Sequence, residues 1–89
     1  MHIQINNIRE IGFLPENGIQ YSVSVTIFDT NNAIIFNDNL EVRFNTYTRQ
    51  AFPNTNYLKS VITDDNTRNT LIYSVRQAVQ NYAYNHKKI

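Results

Sequence analysis

Cysteine is absent, and glycine and proline occur only twice each. Without cysteine there is no disulfide framework and no thiolate metal site, so stability must come from packing and hydrogen bonds. Two glycines leave no glycine-rich loop to cradle a phosphate. Histidine is as scarce: His2 and His86 lie near opposite ends, and neither has a partner at ligand spacing. Two histidines without cysteine make a poor zinc site. They read instead as a strand-end residue and a helix C-cap. No apolar run approaches the ~20 residues that span a bilayer, and no charged-then-apolar leader opens the chain. The expectation is a soluble protein made in the cytoplasm, with no membrane partner. Strong charge is lacking too. Eight basic and seven acidic residues give a net charge of +1, which is no footprint for bulk attraction to nucleic acid or membrane. The balance is uneven: residues 1–56 carry a net −2 and residues 57–89 a net +3.

What the chain does contain is enough for one domain. It has 89 residues, 42% of them apolar and eleven of them aromatic, which suits a globular chain with one modest core. Asparagine is the outlier at fourteen, followed by eleven isoleucines. Both are encoded by AT-rich codons, a composition that small phage and mobile-element proteins share. A phage origin would make the virion the other expected location.

Periodicity is clearest near the C-terminus. Leu71, Ile72, Val75, Ala78, Val79, Tyr82, Ala83 and His86 recur at helical spacing and predict a helix over 65–86. Asp64, Asp65 and Asn66 are N-cap candidates, and Lys87 and Lys88 suit the negative end of the helix dipole. Tyr57, Leu58, Val61 and Ile62 predict a shorter helix over 57–63. Upstream, Ile19, Tyr21, Val23, Val25 and Ile27 alternate with Gln20, Ser22, Ser24, Thr26 and Phe28, as in an antiparallel strand with one wet side. His2–Asn6 alternates similarly, and a bulge near Gly12 accounts for the blurred pattern after it. Pro15-Glu16-Asn17-Gly18 and Asp29-Thr30-Asn31-Asn32 read as reversals. Asn37-Asp38-Asn39 reads as a bulge or a third turn before Leu40, Val42 and Phe44. Residues 47–56 lack a period and read as a loop. The expected fold is α+β, a single domain: an antiparallel meander of three to four strands over 2–46, covered on one face by both helices.

Catalytic constellations are not found. Asp64-Asp65 reads as a cap rather than an acid pair. Asp29, Asp38 and Asp64 fall in separate predicted loops without calcium-loop spacing. None of the four serines (Ser22, Ser24, Ser60, Ser74) lies in a Gly-x-Ser-x-Gly elbow. The expectation is therefore a non-enzyme with no metal and no small-molecule cofactor.

The most informative feature is a second stripe on the long helix. Tyr73, Gln77, Gln80 and Tyr84 lie roughly opposite the apolar stripe, with Arg76 beside them. Tyrosine and arginine are enriched at protein interfaces, and the stripe holds no lysine or glutamate. Tyr73, Arg76, Gln77, Gln80 and Tyr84 are the expected partner-binding residues. The reading is a protein–protein interaction module, either an assembly component that self-associates or an inhibitor of a host protein. Gln20, Ser22, Ser24 and Thr26 form a competing flat surface, with strand edges beside it. The alternative from another class is a nucleic-acid-binding accessory using Arg68, Arg76, Lys87 and Lys88 of the basic C-terminal helix.

Overall fold

The computed structural model describes residues 1–88. Four strands come first: β1 (His2–Leu14), β2 (Gly18–Phe28), β3 (Ile34–Asn45) and β4 (Gln50–Pro53). Two helices follow: α1 (Thr55–Val61) and α2 (Asp65–Asn85). The strands form one sheet in the order β1-β2-β3-β4, and each neighbouring pair is antiparallel. Both helices cover one face, giving the two-layer α+β meander that the alternation of β2 and the 3.6-residue period of α2 imply.

The central strand carries the core. Ile19, Tyr21, Val23, Val25 and Ile27 of β2 are buried, as are Leu40, Val42 and Phe44 of β3 and Ala51 of β4. Leu58 and Ile62 cover them from the α1 region, and Leu71, Val75, Val79 and Ala83 from α2. The apolar pattern of β1 blurs because the strand is bulged twice. Register shifts fall between Ile5 and Asn7 and between Glu10 and Gly12. The first bulge moves the apolar phase so that Ile3, Ile5 and Ile8 oppose Ile27, Val25 and Val23. At 1.5 Å per residue α2 is about 31 Å long, shorter than the 41 Å long axis of the molecule. The ends of the sheet therefore overhang the helix, and Phe13 and Ile34 lie exposed there.

The turns follow their local chemistry. Glu16 and Asn17 both have positive φ (61° and 68°), as the I′ class of hairpin turns requires. Gly18 does not have positive φ and serves a different need. A Cβ there would sit 2.6 Å from the Leu14 Cβ, so glycine allows the strands to close. Asp29 builds the next turn by accepting the Asn31 and Ala33 N–H groups at 2.8 and 2.9 Å.

Four stretches differ from the sequence reading. The loop expected over 47–56 contains β4, whose only buried residues are Ala51 and Pro53. Neither is a strand former, so the segment carries no strand signature. Consequently α1 starts at Thr55 with Asn54 as N-cap and ends at Val61, two residues earlier than the sequence suggested at each end. Asn37-Asp38-Asn39 is neither bulge nor turn. It stays paired in register with Thr26, Val25 and Ser24. Two of its polar side chains find partners in place: Asn37 accepts from Thr26, and Asp38 accepts from Tyr57. The long helix ends one residue early, with His86 as its C-cap.

Candidate contact surface

The helix that presents the candidate residues is held at both ends. Asp64 caps its N-terminus by accepting the Thr67 N–H at 2.8 Å and the Thr67 hydroxyl at 2.7 Å. These bonds, helped by the nearby Arg68, hold the Asp64 carboxyl below its ordinary pKa. Arg68 pairs with Asp65 and donates to the Ile62 carbonyl at 2.9 Å, which ties the start of α2 to the end of α1. At the other end, the Lys88 N–H reaches the Ala83 carbonyl at 2.8 Å and the Lys87 N–H reaches the Tyr84 carbonyl at 3.2 Å. That pair of bonds is the Schellman closure, with Lys87 left-handed at φ 56°.

Between these ends the side chains divide by face. Tyr73 and Tyr84 are 67% and 72% exposed, and Arg76 and Gln77 are exposed beside them. From Asp65 to Asn85 the helix contains no lysine or glutamate at all. Gln80 stands apart. It is half-buried, and its Nε2 donates to the Arg49 carbonyl at 3.1 Å, so it braces the helix against the β3–β4 turn. The sequence reading missed what that bond brings close. Arg49 ends a turn in which Asn45 Oδ1 accepts the N–H groups of Tyr47 and Thr48, both at 2.9 Å. Tyr47 sits in that turn 83% exposed. The Asn45-Thr46-Tyr47 order was the available signal, since asparagine readily closes such a turn.

The polar face of the sheet is partly engaged with itself. On the helix-free face, Gln4 donates to Asn6, Asn6 to Thr26 and Thr26 to Asn37, at 2.7, 2.9 and 3.2 Å. Gln20 donates to Glu41 at 3.1 Å. This polar ladder runs across three strands and engages the side chains of Gln20 and Thr26. Of the cations in the nucleic-acid reading, Arg68 pairs with Asp65 and Lys88 with Glu10 at 3.1 Å. Arg76 and Lys87 make no ion pair among the described residues.

The groups that could carry chemistry lie apart. His2 stacks on Phe28 with ring centroids 6.1 Å apart, and His86 on Tyr82 at 3.9 Å. Asp29, Asp38 and Asp64 do not converge: the first holds its own turn, the second lies within β3 and the third caps α2. Among the described residues no cluster of three histidines or carboxylates is placed to hold a metal ion. No helix there is long and apolar enough to cross a membrane. A cleft of 370 Å³ is lined by Gln20, Arg43, Phe52 and Asn54 among others, and none of the stripe residues borders it. Searches of family models, curated proteins and solved structures found no match to this chain.

Proposed function

We propose that this chain is a non-enzymatic protein-contact module that works through the outer face of α2. The observation that carries the reading is the exposure of Tyr73 and Tyr84, one above the other on a helix free of lysine and glutamate. Exposed helices normally stay solitary through those two residue types. A tyrosine pair flanked by arginine and glutamine gives large contact area at low entropic cost. Tyr73 and Tyr84 are eleven residues apart, so the face runs about 16 Å along the helix. Arg76 and Gln77 lie within it, and Tyr47 extends it onto the turn that Gln80 braces. In this reading the module is a component of a larger assembly, of the kind a phage or mobile element encodes. It acts in the cytoplasm or in the virion. An inhibitor of a host protein is the second form of the same reading.

Light scattering coupled to size exclusion tests it, on the wild type and on Tyr73→Ala/Tyr84→Ala. The expected outcome is a dimer or larger species that the double variant converts to a folded monomer. A monomeric wild type overturns the assembly form and leaves the inhibitor form, whose signature is a one-to-one complex lost in the same variant. Salt-sensitive retention of nucleic acid on a filter would reassign the function to the basic residues.

A further inference from the structure

The sheet has an edge that its own chain leaves open. Among the described residues β4 pairs only with Val42–Asn45, so Ile34–Glu41 of β3 has no strand on that side. The groups facing outward can be identified. The Asn45 carbonyl accepts the Arg49 N–H at 2.7 Å on the β4 side. The Asn39 N–H donates to the Asp38 carboxylate at 2.7 Å rather than across the ladder. Outward groups recur every second residue, so the N–H and C=O of Asn37, Asn39 and Glu41 face the open side. From Phe36 to Asn45 the register with β2 is unbroken. The free row Phe36–Glu41 is therefore regular and about 20 Å long, enough for one ordinary strand. The free edge of β1 is different: its two bulges turn it away from a regular partner.

Helix α1 makes this edge into a slot. After Pro53 the chain leaves the sheet, and a cleft of 230 Å³ opens there between Asn39, Glu41, Asn54 and Tyr57. A second cleft of 170 Å³ lies further along, bordered by Ile35 and Phe36 on one side and Val61 and Ile62 on the other. Exposed apolar side chains border the same edge: Ile34, Ile35, Tyr57 and Val61. The charge there is of one sign. Glu41 and Asp64 line the clefts and no lysine or arginine does, while Arg68 is taken up by Asp65 and the Ile62 carbonyl. Asp38 adds a third carboxylate on the strand itself. It accepts both the Asn39 N–H and the Tyr57 hydroxyl, standing where the carbonyl of a further strand would stand.

We infer that the open edge of β3, walled by α1, receives an extended segment of a partner protein as a fifth strand, with lysine or arginine placed between its apolar residues. Backbone hydrogen bonds would supply the affinity and the two clefts the side-chain preference. A second copy of the same edge is a poor occupant. Ile34–Glu41 contains Asp38 and Glu41 and no cation, so two copies would bring like charges together. None of Tyr73, Arg76, Gln77 and Tyr84 borders the slot's two clefts, so either surface can fail alone.

The test is a titration of the intact, isotope-labelled chain with an eight-residue peptide alternating valine and lysine, followed by amide NMR. The controls are its glutamate counterpart and a version with central prolines. The amides of Asn37, Asn39 and Glu41 should shift and gain protection from hydrogen exchange. The acidic peptide should bind about tenfold more weakly or worse, and the proline version should not bind. Glu41 is exposed, so Glu41→Lys should fold and move the preference toward the acidic peptide. The inference is overturned if those amides do not respond, or if the response maps to β1 or the outer face of α2. Equal binding of both charges also overturns it. Concentration-dependent shifts of the same amides without peptide would assign the slot to a second copy, which overturns the basic partner.

Discussion

Tyr21 is the buried residue whose chemistry is left incomplete. Its ring is fully enclosed and meets Phe44 and Tyr82 edge-on, with centroids 6.3 and 5.6 Å away. Among the described residues its hydroxyl has no hydrogen-bond partner. An unsatisfied buried hydroxyl costs desolvation energy that no bond returns. Tyr21→Phe keeps the ring and removes that cost, so it should stabilise the fold by about 1–3 kcal/mol. Urea titration at neutral pH measures it, and a loss of stability would mean that the hydroxyl is bonded. The same group makes a prediction in alkali. Burial first, then the Glu10 carboxylate and Tyr82, push the Tyr21 hydroxyl up from 10.0 to about 12. Between those values the unfolded chain gives up the proton and the folded chain keeps it, so stability falls as pH rises through the window. Melting temperatures across that window should fall more steeply in the wild type than in Tyr21→Phe.

Element by element, legibility in the sequence follows how local the cause is. Strand β2 and helix α2 are legible because their burial patterns are those of one face, with periods of 2 and 3.6. Tyr73 and Tyr84 are legible for the same reason: the spacing alone puts them opposite Leu71, Val75 and Val79. Strand β4 is not legible, because Ala51 and Pro53 are buried by the helix above them and not by any strand propensity. The open edge of β3 is hidden with it, since that edge exists only because β4 stops at Pro53. The bond from Gln80 to Arg49 spans 31 residues, and no pattern within the helix encodes it. The end of α2 shows a local choice that the fold tolerates at a cost. Lys87 takes the left-handed position of the Schellman motif, where a side chain clashes with the following carbonyl. Lysine gains a little from the helix dipole there, but the residue is exposed and that gain is screened. The backbone effect should win, so Lys87→Gly should raise stability by about 0.5–1 kcal/mol. A lower melting temperature in that variant would show that the charge outweighs the dihedral.

At the scale of the whole molecule, one layer of helix covers one layer of sheet, and neither layer has another partner. The helix-free face carries the polar ladder, and the buried apolar core lies between the layers. Leu71, Val75, Val79 and Ala83 are fully enclosed on the helix side, and Val23, Val25 and Val42 on the sheet side. A chain of this size has a net stability of about 5–15 kcal/mol. Replacing one large aliphatic residue at the shared surface should cost about 2–5 kcal/mol. Leu71→Ala should therefore remove a large share of the total. Because α2 and the sheet bury the same core, that loss should be felt everywhere at once. Far-ultraviolet circular dichroism follows the backbone of both layers. Near-ultraviolet circular dichroism follows the Tyr21 and Tyr82 rings packed between them. In the wild type and in Leu71→Ala the two signals should share one denaturant midpoint, shifted down in the variant with an unchanged slope. If the ring signal is lost first, α2 undocks from a sheet that stays folded, and the two layers are separate cooperative units.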